Sequence, residues 1–126
     1  MGSRGCPGGI PGRPGTRRVR DYRLLRHPLV RRDIFEIGTH IETVSGDPKA
    51  AERRMMEIDA AYRDILDRPG SGTRLDGFLD GYCVRHVGRD HMLSIIFQHD
   101  EEARTIFIVH VAFGGRNWLG IAESRV

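Results

Sequence analysis

Several basic side chains and one tryptophan in the second half of the chain have the chemistry to act on a nucleic acid. Guanidinium groups hold phosphates, an imidazole moves a proton, and an exposed indole stacks on a base. The residues are Arg85, Arg89, His91, His110 and Arg116, with Trp118 as the aromatic group. The alternative is a solvated sheet edge on which the same groups form ordinary ion pairs with Asp90 or Asp100.

The distribution of charge favours the solvated sheet edge over a nucleic-acid site. The chain has 126 residues, with 20 Lys and Arg against 17 Asp and Glu, and a net charge of +3. Residues 1–20 hold five arginines and no acidic residue, which leaves 15 basic and 17 acidic groups, a net charge of −2, in residues 21–126. The main part of the chain therefore lacks the overall basic field of a typical nucleic-acid binder.

Neither a metal site nor a reactive thiol is predicted. The histidines of this half are His86, His91, His99 and His110. None of them forms a close pair with ligand spacing on one element, with or without Cys83, so we expect no metal and no cofactor. Cys83 lies two strand positions from Arg85, which would lower the pKa of the thiol if both shared a face. A small buried strand cysteine is the favoured interpretation.

The composition divides the chain at residue 20. Residues 1–20 contain six Gly, three Pro and five Arg, which predicts disorder, either in an arm that contacts nucleic acid or in an extension without function. Residues 21–126 suffice for one domain. No apolar run is long enough to span a bilayer, no secretory signal is recognisable, and two distant cysteines fit a reducing compartment. We therefore expect a cytoplasmic protein without membrane contact.

A β-hairpin between His91 and Phe113 is the predicted centre of the fold. Residues 92–97 and 105–113 are apolar runs rich in β-branched and aromatic side chains, and an acidic link of residues 98–104 separates them. Both runs carry large apolar groups at odd and even positions, so both strands need cover on two faces. The pattern itself leaves open what supplies that cover.

Two amphipathic helices are predicted before the hairpin, because apolar residues recur at spacings of four, three, four and three. The first stripe is Val30, Ile34, Ile37, Ile41 and Val44, and the second is Ala51, Met55, Ile58, Tyr62 and Ile65. Asp47-Pro48 supplies an N-cap and a first-turn proline for the second helix. The side of the first helix exposed to water is assigned to Arg31, Arg32, Asp33, Glu36 and His40.

Strands at residues 21–27 and 81–87 complete the predicted order β-α-α-β-β-β. Residues 71–80 are expected to form a loop, and residues 114–121 either a short helix or an edge strand. Because the helices are adjacent in sequence, they should form one antiparallel pair. The fold class is α+β, an antiparallel sheet with a helical hairpin packed on one face.

The order of these elements and several short motifs resemble the RelE/ParE toxin family. The opening matches at Tyr22-Arg23-Leu24, at Pro28-Leu29-Val30 and at Arg32-Asp33-Ile34-x-x-Ile37-x-x-x-Ile41. Later matches are Ala50-Ala51 in the second helix, Arg68-Pro69 after it, Val87-Gly88-Arg89 and Ile108-Val109-His110-Val111. The resemblance is diffuse but extends from residue 22 to about residue 118.

The resemblance implies a bacterial toxin of a type II toxin–antitoxin system and a small cognate antitoxin as its partner. An antitoxin helix in an apolar groove, or a strand added at a sheet edge, would cover exposed apolar surface. The residues assigned to antitoxin binding are Ile34, Ile37, Ile41, Met55, Ile58, Tyr62, Phe113 and Trp118. A hetero-oligomer of toxin and antitoxin is expected.

Two activities occur in this family, and the resemblance leaves both open. RelE-like members cleave mRNA on the ribosome with basic residues and a Tyr or His near the end of the chain, whereas ParE-like members inhibit DNA gyrase. Here Phe113 stands where a His is common, and no Tyr follows Tyr82. A ParE-like gyrase inhibitor is therefore favoured, without catalytic residues. The alternatives are an mRNA endonuclease that uses the five basic residues named at the outset, and a non-toxic member that only binds its antitoxin.

Overall fold

The computed structural model describes residues 22–88, 90–114 and 117–126. Its strands are β1 (Arg23–Arg26), β2 (Thr73–Arg74), β3 (Tyr82–Val87), β4 (Leu93–Asp100) and β5 (Thr105–Phe113). Its helices are α1 (Val30–Ser45), α2 (Pro48–Asp67) and α3 (Trp118–Ser124), and a 3-10 turn covers Gly77–Leu79. The disorder predicted for residues 1–20 lies outside the described residues.

The two long helices form where the apolar spacing predicts them. Gly46 ends α1 in a left-handed conformation, with φ of 69°, and its N–H donates to the carbonyl of Glu42 at 2.8 Å. This is the C-terminal geometry that glycine adopts at low cost. The carboxylate of Asp47 then accepts from the N–H of Lys49 at 3.0 Å and caps α2. The short connection makes α1 and α2 an antiparallel pair.

The sheet has five strands in the order β1-β5-β4-β3-β2. The predicted hairpin is confirmed as β4 and β5, which pair antiparallel from Leu93↔Phe113 to Asp100↔Thr105. The predicted α+β class with a helical hairpin on one face of the sheet is confirmed. The sheet is not antiparallel throughout, because β1 pairs with β5 in parallel from Arg23↔Thr105 to Arg26↔Ile108. The β4–β5 hairpin lies centrally, so β1 takes the free side of β5, where the two strands run in the same direction.

Helices α1 and α2 cover one face of the sheet and build the main core. Their buried side chains contact Leu93, Ile95 and Phe97 of β4 and Ile106, Ile108 and Val111 of β5. A bulge at the Ile96/Phe97 register lets residues of both parities on β5 reach this core. A bulge adds one residue to one strand and so reverses the alternation beyond it.

The second face of the sheet is partly covered by this chain itself. Leu79 of the 3-10 turn and Ala122 of α3 pack with Val84, Ile96 and Val109 in a second buried cluster. The expectation that the face opposite the helical hairpin is left for an antitoxin to cover is therefore wrong for this part of the face. Residues 118–124 form a helix, which decides between the two predictions for the end of the chain. Among the described residues, no helix is both long enough and apolar enough to cross a membrane.

Candidate functional site

Of the five basic residues predicted as an alternative catalytic set, the structure describes three. Arg85 lies on β3, and its guanidinium donates to the carboxylate of Asp64 on α2 and to the hydroxyl of Ser71. Its side chain is only 20% exposed. The charge of Arg85 is thus already paired across the sheet–helix interface. Arg89 and Arg116 lie outside the described residues.

The two described histidines of that set lie in different surroundings. His91 is exposed in the turn between β3 and β4, where it takes a left-handed conformation with φ of 57°. His110 is buried on β5, and its Nδ1 lies 2.8 Å from Oδ2 of Asp33. Its Nε2 is also buried and has no hydrogen-bond partner among the described residues. His110 and Arg85 are therefore held by carboxylates on different helices.

A buried ionic network joins α1, β5 and the end of the chain. Arg125 makes a bidentate contact with Asp33, with Nη1 2.7 Å from Oδ2 and Nη2 2.8 Å from Oδ1. Nη1 of Arg125 also donates to the carbonyl of Val109 at 3.0 Å, and the N–H of Val111 donates to Asp33 at 3.2 Å. Planar bidentate pairing of this kind is the strongest form of ion pair in proteins. The network attaches the residue after α3 to the first turn of α1.

The charge of Asp33 is stabilised by its neighbours. Burial alone would raise the pKa of Asp33, but hydrogen bonds from His110 and Arg125 outweigh it and lower the pKa of that carboxyl. The assignment of Asp33 to the water-exposed side of α1 is wrong, because its carboxyl is buried. Its position three residues after Val30 and four before Ile37 already places it within the apolar stripe. A charged residue on such a stripe is the signal that sequence reasoning missed.

Two adjoining cavities follow α1 on the side of this network. The first, of about 230 Å³, lies between α1, the end of β5 and α3, and Asp33, His110 and Arg125 contribute to its wall. The second, of about 520 Å³, lies between α1 and α2 beside the β3–β4 turn. His40 and Phe113 line both. We call the two cavities together the α1 groove.

The rim of the α1 groove carries exposed apolar side chains. Leu29 and Ile121 flank the first cavity and are 42% and 36% exposed, and Val44 beside the second is 73% exposed. The ring of Phe113 lies between them, with the guanidinium of Arg54 5.0 Å from its centroid. Arg54 in turn pairs with Asp90, whose pKa it lowers to about 2 through its hydrogen bonds.

The comparison with family profiles decides the identity of the fold. Residues 24–118, three quarters of the chain, match the profile described as the ParE toxin of the type II toxin–antitoxin system parDE. The chain belongs to the ParE toxin family. A search among curated proteins finds no significant match to this ParE-family chain.

Three solved structures share the fold of this ParE-family toxin. One is of the chromosomal ParDE toxin–antitoxin system of P. aeruginosa, with 16% identity and a TM-score of 0.61, covering 74% of this chain and 96% of that one. The RelBE2 toxin–antitoxin complex of Mycobacterium tuberculosis shows 19% identity and a TM-score of 0.53, and the match covers 73% of this chain and 96% of that one. A double arginine-to-alanine mutant of E. coli RelE in the free state shows 14% identity and a TM-score of 0.50, and the match covers 83% of this chain and 97% of that one. At such low sequence identities, the likeness to these structures supports a shared fold and nothing further.

The residues assigned to antitoxin binding fall into three groups in this ParE-family chain. Ile37, Ile41, Ile58 and Tyr62 are buried in the core of the chain. Ile34, Met55 and Phe113 are half-buried against that core, and Trp118 packs on the second cluster. Among these, Phe113, Ile37 and Ile41 line the α1 groove. Contact with Ile58 and Tyr62 would require the helices to leave the sheet, so a partner role for all eight remains a prediction.

Two other titratable groups, the half-buried Cys83 and the buried Tyr62, do not form a site. Burial raises the pKa of the Cys83 thiol, which makes it a poor nucleophile at neutral pH. Burial also raises the pKa of Tyr62 to about 12, and its hydroxyl has no hydrogen-bond partner among the described residues. Within residues 22–88, 90–114 and 117–126, no cluster of three or more His, Cys, Asp or Glu side chains could hold a metal ion.

Proposed function

We propose that this ParE-family chain is a toxin that acts by binding DNA gyrase and that a cognate antitoxin neutralises it. The observation that carries the proposal is the pairing of Arg85 and His110 inside the fold. Arg85 is held by Asp64, and His110 is held by Asp33 beside Arg125. An endonuclease needs cations free to hold a phosphate and an imidazole nitrogen within reach of the substrate. His110 offers only a buried Nε2.

The alternative is a ribosome-dependent mRNA endonuclease, and the likeness of the fold to RelE and RelBE2 favours it. Its catalytic set would be Arg85, Arg89, His91, His110 and Arg116. In that case Arg85 would have to leave Asp64 in order to bind a phosphate. The exposed imidazole of His91 would be the proton-transfer group that a substrate can reach without rearrangement.

The α1 groove is the surface proposed for the antitoxin. Its rim exposes Leu29, Val44 and Ile121, while the aromatic ring of Phe113 joins its two cavities. Apolar side chains clustered along a groove are typical of surfaces that a partner covers. Support also comes from the ParDE and RelBE2 structures, which are of toxin–antitoxin systems.

Expression of the chain alone in bacteria tests this proposal, with three variants compared. Arg85→Ala and Asp64→Ala both break the Arg85–Asp64 ion pair, so the loss of stability from that pair affects both, and Asp64→Ala also removes an exposed pair with Arg68. If the chain binds gyrase without using Arg85, both variants remain toxic, DNA supercoiling falls and transcripts stay intact. If Arg85 holds an RNA phosphate, only Arg85→Ala loses transcript cleavage, and the gyrase proposal is then wrong.

His91→Gln supplies the third comparison in the same experiment. Glutamine cannot act as a general acid or base, and because His91 is exposed, the substitution removes no buried contact. Under the gyrase proposal, His91→Gln keeps its toxicity. Unhindered growth with the unmodified chain would contradict both toxic activities and leave the non-toxic, antitoxin-binding member as the answer.

A further inference from the structure

A second stripe of residues runs along α1 outside the core. Arg31, Phe35, Gly38 and Glu42 recur at spacings of four, three and four, so they share one side of the helix. The same spacing marks the seam between two paired helices. None of the four is buried, and within the described part of the chain none of them lines the α1 groove. We call these four residues the outer α1 stripe.

Phe35 is the apolar member of the outer α1 stripe, and it lies in water. Its side chain is 72% exposed, although α1 has a separate stripe whose residues are buried against the sheet. Aromatic side chains bury more area than most others and commonly form the centre of protein interfaces. The fold of a single copy therefore gives this ring no packing partner of comparable size.

Gly38 lies in the middle of α1 without a reason inside the chain. Its backbone is helical, and a Cβ added to it would meet only Cε of Met55 among the described atoms, at an ordinary contact distance of 3.9 Å. Glycine destabilises a helix interior relative to alanine. The packing of one copy thus has room for a larger residue, and the glycine leaves a notch in the helix surface one turn from Phe35.

The two ends of the outer α1 stripe carry opposite charges. Arg31 and Glu42 lie about 16 Å apart along the helix axis. Neither has an ion-pair partner within the described residues, whereas the neighbouring Arg32 pairs with Glu36. A surface with a basic end and an acidic end is complementary to an antiparallel copy of itself.

A single two-fold axis satisfies the ring, the notch and both charges. The pair of Arg31 with Glu42 and the pair of Phe35 with Gly38 are nested about the same midpoint, between residues 36 and 37. Two α1 helices packed antiparallel about that point place each Phe35 over Gly38 of the second copy. The same axis places each Arg31 beside Glu42 of the second copy. This is the self-complementary pattern of a two-fold symmetric interface.

We propose that this chain forms a homodimer through the outer α1 stripe, with the Phe35 ring of each copy packed over Gly38 of the other. The proposal does not depend on whether gyrase or the ribosome is the target. Because the stripe is only about three turns long, it buries less area than a standard stable interface, and the dimer forms in a concentration-dependent manner. The α1 groove of each copy stays open for a different partner.

Sedimentation equilibrium of the purified full chain tests the dimer. We expect the weight-average mass to rise from 14.3 kDa toward twice that value as the concentration increases to about 500 μM. Phe35→Asp should stay at the monomer mass over the same range. Val44→Asp is the matched control, because Val44 is 73% exposed on the same helix and lies off the stripe; it should dimerise like the unmodified chain. A constant monomer mass for the unmodified chain, or equal losses in the two variants, would overturn the proposal.

Exchanging the charges tests the orientation of the two copies. Arg31→Glu places a second carboxylate opposite Glu42 of the other copy, and Glu42→Arg places a second guanidinium opposite Arg31. Each substitution alone should weaken dimerisation about fivefold or more, since each repulsion occurs twice. The double variant restores the attraction in reverse and should dimerise like the unmodified chain. A double variant as weak as the two single variants would contradict the antiparallel pairing.

Gly38→Ala separates the interface from the stability of the single copy. Alanine should raise the melting temperature of the chain at low concentration, because it favours the helix, and its methyl group should weaken the dimer by partly filling the notch. A variant that dimerises as well as the unmodified chain would show that Phe35 does not pack there. A loss of antitoxin affinity in Phe35→Asp, with no dimer of the unmodified chain, would assign the outer α1 stripe to the antitoxin instead.

Discussion

At the scale of single residues, Asp33 contributes most to the organisation of the site. It is buried, it carries a stabilised negative charge, and it contacts His110, Val111 and Arg125 at once. Removing one partner from such a network leaves the other charge buried without compensation, which costs more than the pair contributes. The network is therefore a sensitive point of the fold.

We expect Asp33→Asn to lower the free energy of unfolding by about 3–5 kcal/mol at pH 7, because Arg125 then remains buried without a counter-charge. Urea denaturation measures the change. Glu36→Gln is the matched control on the same helix, since Glu36 pairs with Arg32 at the surface and its loss should cost below about 0.5 kcal/mol. Equal losses in the two variants would show that the buried network adds no stability.

The same carboxyl makes stability depend on pH. The pKa of Asp33 is lowered in the folded chain, so its contribution is fully present above the unfolded pKa of about 3.9. It declines as the pH falls below that value and is lost once the pH passes the folded pKa. The difference in unfolding free energy between the unmodified chain and Asp33→Asn should therefore shrink on acidification from pH 7 to pH 3. A constant difference would contradict the assigned charge.

At the scale of elements, the sequence predicts what depends on local pattern. The stripes of α1 and α2, the Asp47-Pro48 start and the β4–β5 hairpin are all determined by short-range spacing and turn chemistry. The parallel partner of β1 and the bulge in β5 depend on which strand is free after the hairpin has formed. The ion pair between Asp33 and Arg125 joins residues 92 positions apart. A single sequence contains no local signal for such pairing.

The segment between α2 and β3 gives a test at this scale. A Cβ on Gly72 would lie 2.9 Å from Cζ of Phe97 and 3.0 Å from Cβ of Cys83, so there is no room for it. We expect Gly72→Ala to lower the free energy of unfolding by roughly 1–3 kcal/mol. Gly70→Ala, which meets no atom within 4 Å, should change it by less than about 0.5 kcal/mol. A neutral Gly72→Ala would mean that this segment does not pack on the sheet as described.

At the scale of the whole molecule, the sheet is covered by α1 and α2 on one face and partly by α3 on the other. Part of the exposed apolar surface lies along the α1 groove, at Leu29, Val44 and Ile121, and other exposed apolar side chains, such as Phe35 and Phe78, lie outside it. Sequence reasoning predicted that a partner covers apolar surface, but it assigned the contact to several residues that the core buries. Periodicity identifies an apolar stripe, and it does not distinguish the half of a stripe that packs internally from the edge that remains exposed.

Val44→Asp tests the α1 groove as the antitoxin surface. Val44 is 73% exposed, so the substitution should leave the fold intact but place a charge in the proposed interface. We expect antitoxin affinity to fall at least about tenfold, roughly 1.4 kcal/mol, as measured by calorimetric titration. Met56→Asp is the control, because Met56 is 67% exposed on α2 and lines neither cavity. A larger loss with Met56→Asp would place the interface elsewhere.

The most direct test of the central claim is a supercoiling assay with purified gyrase and increasing amounts of the purified chain. In a parallel reaction, the same preparation is incubated with ribosomes translating a defined mRNA. A toxin that acts by binding gyrase blocks supercoiling, is relieved by its antitoxin, and leaves the mRNA intact. Undiminished supercoiling together with cleaved mRNA would contradict the account.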